Sequence, residues 1–364
     1  MQKNLFGNPN AIHFFGQQAQ TALDTARQSI AHYIGGTADG VVCTASATEA
    51  NNLVLRGAVK KFKATSGGTV LPHIILSAIE HDSIYETARD MEREGLVRIS
   101  LIPVTSDGVV DVTALEKMVD AATVIVSVLW ANNETGALQP LEAIGRLVRA
   151  QQEKNGTMFP FFHTDAAQAF GYMPVDTMNG LIHAITLSSH KIYGPKGVGV
   201  LYVQHLRERI APILTGGGQE YGVRSGTQNV AAIMGAVRAC ELAISVRNKE
   251  SIRITALSKQ LEDGIRAIVP EARVWAADAL RVPHIINVCL PHYPGMDVAL
   301  DMRGVAVSSG AACAARHIKP SRVLEVMGAS PEEIACSIRM SIGMYTRKKD
   351  ISQALECMAT LVHA

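Results

Sequence analysis

The sequence predicts an α/β fold with a largely parallel sheet in a large domain, followed by a smaller α+β domain. Three observations predict it. The chain has 364 residues, more than a single core of ordinary size accommodates. Short apolar runs alternate with helix-like segments from about residue 40 to about residue 205, and this texture changes after about residue 240. We therefore expect domains 1–248 and 249–364.

The apolar runs of the first domain are rich in Val and Ile at successive positions. This pattern is typical of strands that are buried on both faces, as in a parallel sheet covered by helices. The runs begin at Gly40, His73, Thr123, Met158, His183 and Gly197. Segments 84–94 and 141–154 between them have the apolar spacing of helices, which completes an α/β pattern.

The second domain begins with a long charged helical stretch from Glu241 to about Ile268. Strand-like segments then follow at 273–276, 284–290 and 304–309, with a helix-like segment at 296–302. The tail from residue 331 is helical except for a strand-like piece at 337–342. This mixture predicts an α+β domain.

Composition excludes several classes of protein. Lys and Arg number 34 and Asp and Glu 33, so a net charge of +1 gives no general attraction to nucleic acid or an anionic membrane. The first ten residues contain no apolar signal-peptide core, and the run at 123–131 is too short to span a bilayer. The six cysteines form no CxxC pair, which argues against a disulfide framework or a zinc site. We expect a cytoplasmic protein without a membrane or direct nucleic-acid partner.

Polar residues follow each apolar run, where ligands bind in open α/β sheets. Residues 46–52 follow the first run, and their small and hydroxyl residues suit either an anion site at a helix N-terminus or an ordinary N-cap at Ser46. His81 follows the second run, and a lone histidine there is more often structural than functional. Residues 132–136 follow the third run and read equally as a turn.

Among these strand-end residues, Asp165 and Lys191 are the most informative about function, because each carries a charge that is costly to bury. A carboxylate closing a buried strand needs a cationic or N–H partner. Desolvation of a lysine lowers the pKa of its amine and favours Schiff-base chemistry, although a lysine that reaches solvent is an equal alternative. An anion cradle, a Schiff-base lysine and a buried carboxylate together are what pyridoxal phosphate (PLP) requires.

The chain resembles a known family through eight segments. They are TASATEANN, IEHD, NNETG, HTDAAQ, SSHKIYGPKGVG, GGGQEYGVRSGTQN, SSGAACA and CSIRMSIG. They occur in the order seen in cysteine desulfurases of the iron–sulfur cluster assembly type, from residue 7 to about residue 360. The resemblance implies PLP fold type I of the class V aminotransferase superfamily, with a seven-stranded sheet.

The resemblance also implies a role for each cofactor residue. Lys191 holds PLP as a Schiff base, His81 stacks on its ring, Asp165 pairs with the ring nitrogen and Gln168 reaches the ring oxygen. The phosphate-binding residues are Ala47 (by its backbone), Thr48, Ser188, His190 and, across the interface of a homodimer, Thr227. Asn133 and Arg339 bind the carboxylate of the substrate.

Cys313 matches the catalytic cysteine of that family. Its thiolate takes sulfur from L-cysteine, which leaves a persulfide and releases alanine, while Lys191 or His81 moves protons. The sulfur then passes to an iron–sulfur scaffold protein or a tRNA-thiolation acceptor. Nearby Arg316 and His317 would favour the thiolate. We expect no metal site beyond transient ligation of a nascent cluster by the Cys313 persulfide. The small residues around it resemble the long loop of scaffold-dependent members, which disfavours a selenocysteine lyase-like enzyme.

The sequence also departs from the family pattern. It begins near the GNP segment at residues 7–9, where the family has roughly one more strand and helix, and a PLP-binding homodimer with little turnover that binds a partner is therefore an alternative. Ser46 replaces a frequent glycine, so the turn there must avoid positive φ. Met344 replaces a frequent arginine and Ala311 a frequent serine. Cys43, Cys240 and Cys289 read as buried small apolar residues.

Overall fold

A computed structural model describes residues 6–308 and 320–363 of the chain. The chain divides into two compact units. The first consists of Met1–Ile102, Val112–Trp130 and Pro140–Ser245, and the second of Pro103–Asp111, Ala131–Gln139 and Val246–Ala364. The second unit therefore includes two segments from the first half of the sequence.

The first unit contains a seven-stranded sheet. Its strands are β1 (Val41–Thr44), β2 (His73–Ser77), β3 (Arg98–Ile102), β4 (Thr123–Ser127), β5 (Phe161–Asp165), β6 (Ala184–Ser188) and β7 (Gly199–Val203). The order is β1-β7-β6-β5-β4-β2-β3. Strands β2 to β6 run parallel, and β7 is antiparallel to both of its neighbours. The predicted α/β class with a largely parallel sheet is confirmed.

Helices accompany the sheet in the order expected of an α/β chain. They are α1 (Phe14–Tyr33), α2 (Ala47–Thr65), α3 (Asp82–Arg93), α4 (Val112–Met118), α5 (Leu141–Asn155), α6 (Leu206–Arg209) and α7 (Val230–Ile268). Helix α2 carries its apolar residues toward the sheet, where Leu53 and Leu55 join one buried cluster with Ile74 and Phe161. Each fully buried side chain of this kind contributes about 1.5–3 kcal/mol. Helix α2 is thereby fixed on the sheet, and its N-terminus is fixed with it.

The second unit contains a three-stranded antiparallel sheet of order β10-β9-β8. Its elements are β8 (Arg273–Val274), β9 (Ile285–Cys289), α8 (Met296–Asp301), α9 (Arg322–Val326), α10 (Pro331–Ala335), β10 (Ser337–Ser341) and α11 (Lys348–Val362). Helix α10 begins with a capping box between Ser330 and Glu333 and has proline at its first position. The expected mixture of strands and helices is present.

Three expected elements differ from the structure. Segment 304–309 was expected to be a strand, but among its described residues only Ser308 pairs, in an isolated bridge to Arg339, and Ser309 lies outside the described residues. The strand expected from Met158 begins at Phe161 instead, because Pro160 lacks the N–H that a central strand needs. Strand β3 was not predicted, since this edge strand is mostly half-buried and its apolar pattern is weaker. Across the described residues, none of the helices combines the length and apolarity needed to cross a membrane.

Candidate active site

Most of the predicted cofactor residues follow strands of the first unit that end at the same edge of the sheet. Strands β2 to β6 are parallel, and β1 runs in the same direction because β7 is antiparallel to both β1 and β6. The carboxyl ends of all six strands therefore meet the amino end of β7 at one edge. Gly199, the first residue of β7, pairs with Thr44 on one side and Ser188 on the other.

The N-terminus of α2 at this edge can bind an anion. Ser46 is the N-cap, and its Oγ accepts the Glu49 N–H at 3.1 Å. The first intrahelical bond runs from the Ala50 N–H to the Ser46 carbonyl. The N–H groups of Ala47 and Thr48 therefore have no partner within the helix and carry the positive end of its dipole. The capping and anion-binding interpretations of this segment are compatible.

Ser46 also tolerates the position that is often glycine in the family it resembles. Its φ of −168° and ψ of 165° are extended backbone that any residue adopts. The expectation that this turn avoids positive φ is confirmed. Gly199 is the residue that cannot be replaced here, because a Cβ on it would lie 2.2 Å from the carbonyl carbon of Ser46 and 2.5 Å from the Ala47 nitrogen. The absent side chain lets the α2 turn lie directly against β7.

Asp165 closes β5 and is only 8% exposed. Its Oδ1 accepts the Ala167 N–H at 2.9 Å, and its Oδ2 accepts from Nδ2 of Asn51 at 2.8 Å. The N–H partners that a buried carboxylate requires are therefore present. Asp165 pairs with Thr186 of β6, so it lies beside the strand that leads to Lys191.

His81 is the N-cap of α3, so the structural interpretation of this residue holds. Its Nδ1 accepts the backbone N–H of Ser83 at 3.1 Å and lies 2.8 Å from Ser83 Oγ. Because Nδ1 accepts an N–H bond, the neutral ring carries its proton on Nε2. Ser83 Oγ in turn accepts from Asn51 at 2.8 Å. A continuous chain of hydrogen bonds thus joins His81 to Asp165 through Ser83 and Asn51.

Lys191 lies in a short 3₁₀ turn, Ser189–Ile192, that directly follows β6. Its side chain is exposed in the single chain, which corresponds to the alternative of a lysine that reaches solvent. The turn is compact, since a Cβ on Gly194 would lie 2.3 Å from Ser189 Oγ. Partial burial, followed by the charges of Lys191 and Lys196, lowers the pKa of His190, which favours the neutral imidazole.

Thr227 is exposed on a loop that is held by one ion pair, Arg224–Glu49, and by a hydrogen bond between Glu220 and β1. Arg224 donates to Glu49 at 2.7 and 3.2 Å, and Glu49 also accepts the Ala45 N–H at 2.7 Å. Burial by itself would raise the pKa of Glu49, but the bonds from Arg224 and Ala45 lower it overall. Further along this loop, Glu220 bonds to β1 through the Cys43 N–H at 2.8 Å.

The remaining cofactor residue, Gln168, lies in the turn that follows β5 and is half-buried. The structure thus describes every residue that was assigned to the cofactor.

Asn133 and Arg339, assigned to the substrate carboxylate, both belong to the second unit. Nη1 of Arg339 donates to the Asn133 carbonyl at 3.1 Å, so the structure brings these two residues together. The Asn132 side chain accepts the N–H groups of Glu134 and Thr135, both at 2.9 Å. The turn interpretation of residues 132–136 is therefore correct.

Cys313 lies outside the described residues, as do Arg316, His317 and Ala311. The described neighbours of this segment are held within the second unit. Ser308 exchanges two backbone hydrogen bonds with Arg339, at 3.1 and 2.6 Å. Ser321, the N-cap of α9, donates its hydroxyl to the buried carboxylate of Glu134. Both ends are thus bonded to, or adjacent to, the two substrate residues.

Three other cysteines are buried, as predicted. Cys43, Cys240 and Cys289 are 4%, 6% and 3% exposed. Burial, with the nearby Glu220 carboxylate, raises the pKa of the Cys43 thiol far above its ordinary value. A buried thiol with a raised pKa is a poor nucleophile.

Sequence reasoning missed the residues that support the site. Asn51, Ser83, Glu49 and Arg224 occur within or near the quoted motifs, but no role was assigned to them. Asn51 alone carried a usable signal, because an amide on the apolar face of α2 predicts a buried partner. Nothing local identifies which partner it finds.

The residues present fit PLP. The α2 N-terminus offers two N–H groups to a phosphate, and its turn lies against β7 because Gly199 has no side chain. Asp165 offers a buried carboxylate, and Lys191 offers an amine at the end of the adjacent strand. Fold and site together define a PLP-dependent enzyme of fold type I.

Comparison with known proteins gives the family. The profile of the aminotransferase class-V family matches residues 2–354, and the chain belongs to this family. Enzymes of this family and its cysteine desulfurases depend on PLP.

Similar curated proteins are cysteine desulfurases. The cysteine desulfurase IscS of Dictyoglomus turgidum is 34% identical over 362 residues, which cover 99% of this chain and 88% of that protein. The mitochondrial cysteine desulfurase of Arabidopsis thaliana is 35% identical over 353 residues, covering 96% and 75%.

Solved structures similar to this chain include a NifS-like protein and a complex with cysteine. A NifS-like protein superposes with a TM-score of 0.88 at 30% identity, covering 99% of this chain and 93% of that one. The structure described as SspA in complex with cysteine has a TM-score of 0.77 at 30% identity, covering 95% and 93%. The predicted relationship to cysteine desulfurases is confirmed.

Proposed function

We propose that this protein is a cysteine desulfurase that converts L-cysteine to L-alanine and leaves a persulfide on Cys313. One observation carries the proposal. The buried carboxylate of Asp165 and the turn that bears Lys191 end adjacent strands, and hydrogen bonds through Asn51 join Asp165 to α2, whose N-terminus can bind an anion. When bound, PLP supplies an electron sink that weakens bonds at the substrate α- and β-carbons.

The residues of the first unit have distinct tasks in this reaction. Ala47 and Thr48 offer N–H groups to the phosphate, with Ser188 and His190 beside them. Asp165 is held by two N–H donors and accepts from the ring nitrogen. Lys191 moves protons at its Nζ. His81 is the alternative residue for this proton transfer, and its Nδ1 already accepts the Ser83 N–H.

The substrate residues act through charge and hydrogen bonding. Arg339 is fixed by its bond to the Asn133 carbonyl and by the backbone pairing of β10. Its guanidinium suits a substrate carboxylate because the planar fork matches two oxygens. We assign Asn133 and Arg339 to this carboxylate. The smaller domain, which carries these two residues and Cys313, consists mainly of residues 249–364 in this proposal.

Cys313 performs the sulfur transfer. Its thiolate attacks the substrate sulfur, so an S–S bond forms while the C–S bond breaks and its electron pair returns to the substrate carbon. A proton delivered to that carbon completes alanine. The substrate carbon is reduced and Cys313 becomes a persulfide, so the step balances without an added oxidant. Reduction by a thiol then releases sulfide, or an acceptor takes the sulfur.

The partners and compartment extend the proposal. We propose a homodimer in which Thr227 reaches the phosphate site of the other subunit, supported by its exposure on a loop that the Arg224–Glu49 pair holds. The acceptor would be an iron–sulfur scaffold protein or a tRNA-thiolation relay. We propose a cytoplasmic location, which suits cysteines that form no disulfide with one another among the described residues: Cys43, Cys240, Cys289, Cys336 and Cys357.

A direct assay tests the activity. Purified protein loaded with PLP should be yellow, and borohydride reduction followed by peptide mapping should place the pyridoxyl group on Lys191. L-Cysteine with a thiol reductant should yield equal amounts of alanine and sulfide. L-Selenocysteine and other amino acids, scored for sulfide, selenide and keto acid, define the specificity.

Matched cysteine variants make this assay decisive. Cys313→Ser should abolish sulfide release while it retains the PLP spectrum. Cys357→Ser, a half-buried thiol on α11, should behave as the wild type. Sulfide release by Cys313→Ser at the wild-type rate would refute the mechanism. A PLP spectrum without turnover by the wild type would support the alternative of a binding homodimer.

A further inference from the structure

Asn51 is a fully buried amide on the face of α2 that packs against the sheet. Its helix neighbours Ala50, Leu53 and Val54 are buried and apolar. Its Nδ2 donates to two acceptors, Asp165 Oδ2 and Ser83 Oγ, each at 2.8 Å. Both amide hydrogens are therefore used, one toward the end of β5 and one toward the first turn of α3.

The oxygen of the same amide makes no hydrogen bond to the described residues in this orientation. Asn51 Oδ1 is buried and finds no hydrogen-bond donor among residues 6–308 and 320–363. A buried carbonyl oxygen left unbonded is unfavourable, and an amide normally turns to pair it. Here the turn would set Oδ1 against Asp165, whose carboxylate only accepts. The observed orientation of the Asn51 amide therefore satisfies Asp165 and Ser83 and leaves its own oxygen without a hydrogen bond.

We propose that Asn51 is a positioning residue that fixes the carboxylate of Asp165 and couples it through Ser83 to His81. This inference rests on the proposed function, in which Asp165 and His81 both contact the ring of PLP. Ala167 holds one carboxylate oxygen and Asn51 holds the other, and each oxygen keeps a lone pair for the ring nitrogen. Asn51 touches neither cofactor nor substrate in this role.

Two substitutions separate positioning from packing. Asn51→Leu keeps the volume and removes both donors. Asn51→Asp keeps the shape and places a second acceptor against Asp165. The first should weaken PLP binding by about tenfold or more, and the second should weaken it further because like charges would face each other. Packing alone predicts the opposite order, since Asp is the closer match in shape.

The key readout is spectroscopic and independent of turnover. Holoenzyme is prepared with PLP labelled with ¹⁵N in the ring, and the ¹⁵N shift is measured at saturation. In Asn51→Leu we expect the shift to move toward that of an unprotonated pyridine. Ser83→Ala removes only the link to His81 at a half-buried position, so it should fold well and weaken PLP binding by less than Asn51→Leu. Asn52→Ala, which removes an amide that donates to the Thr48 carbonyl on the same helix, is the matched control and should leave both readouts unchanged.

The outcomes are distinct. A wild-type protein that binds no PLP refutes the proposed function itself. If the wild type binds PLP and Asn51→Leu keeps its affinity and ring ¹⁵N shift, the positioning role is wrong. If Asn51→Leu lowers only the unfolding midpoint of the apoprotein, Asn51 is structural and the inference is also wrong. Ser83→Ala with wild-type affinity would refute the coupling to His81.

Discussion

Removing one partner of the buried ion pair between Arg27 and Glu220 should strongly destabilise the first unit. The two residues are 4% and 2% exposed, and Arg27 Nη2 lies 2.7 Å from Glu220 Oε1. Glu220 Oε2 also accepts the Cys43 N–H at 2.8 Å. Burial alone would lower the pKa of Arg27, but the Glu220 charge raises it overall. The perturbation is Glu220→Gln, which keeps an acceptor and removes the charge.

The magnitude follows from what remains around Arg27. Removing one partner of a buried ion pair costs about 3–5 kcal/mol because the other charge stays buried. Asp24 still lies 3.1 Å from Arg27, but it is half-exposed and offsets only about 0–1 kcal/mol. We therefore expect Glu220→Gln to lower the free energy of unfolding by about 3 kcal/mol. Glu220→Ala also strands the Cys43 N–H and should cost about 1–3 kcal/mol more.

Urea unfolding of the apoprotein measures this loss. The two tryptophans lie in different units, Trp130 in the first and Trp275 in the second. In a Trp275→Phe background, fluorescence therefore reports the unit that contains the ion pair. Glu142→Gln is the matched control, because its 2.6 Å bond to Arg146 is exposed and should be worth less than about 1 kcal/mol.

Two results would refute this reasoning. The first is a Glu220→Gln loss no larger than that of Glu142→Gln. The second concerns the double variant Arg27→Met with Glu220→Gln, which leaves no buried charge and should be more stable than Glu220→Gln alone. A double variant less stable than the single one would show that packing, and not the unpaired charge, sets the cost.

Two further predictions concern pH and the cofactor cradle. Burial lowers the pKa of His163 to about 3, below about 6.5 in the unfolded chain, so stability falls as pH drops and only the unfolded state binds the proton. Between pH 6.5 and 5, protonation of this histidine in the unfolded state should lower the free energy of unfolding by about 2 kcal/mol. His163→Gln should remove that loss from the plot of urea-derived stability against pH. Parallel plots for the variant and the wild type would contradict the prediction. Gly199→Ala should weaken PLP binding by about tenfold or more in equilibrium titration, because its Cβ would overlap the backbone of Ser46. Wild-type affinity would show that the α2 turn moves freely.

The fold was predictable where a strand carries apolar residues at successive positions. Strands β2, β4 and β6 are buried along their whole length, and nothing but a sheet interior suits such runs. Strand β3 was missed because it lies at the sheet edge, where half-buried residues do not have to be apolar. A strand was also predicted for segment 304–309, whose described residues 304–307 form none, since apolar residues predict burial without predicting a pairing partner.

The sequence indicated which residues to assign to the candidate site, but it did not indicate the hydrogen bonds that link them. Asp165 and Lys191 stood out because charged side chains rarely follow buried strands without a partner. The role of Cys313 came from the resemblance alone, because a cysteine among small residues forms no local pattern that identifies a catalytic thiol. Asn51 received no role, although it supplies one of the two donors to Asp165.

By itself, the sequence determined the α/β class, the strand-end chemistry that suits PLP, and the family. The first two depend on residue types and short spacings, which local physical chemistry governs, and the family came from the resemblance of eight segments to cysteine desulfurases. The tertiary structure decided that Asn51 reaches Asp165, 114 residues away, and that Arg27 reaches Glu220, 193 residues away. It also decided that Gly199 lies between Thr44 and Ser188. Such pairings follow from the strand order β1-β7-β6-β5, which local periodicity does not encode because any of these strands would be equally apolar beside another neighbour.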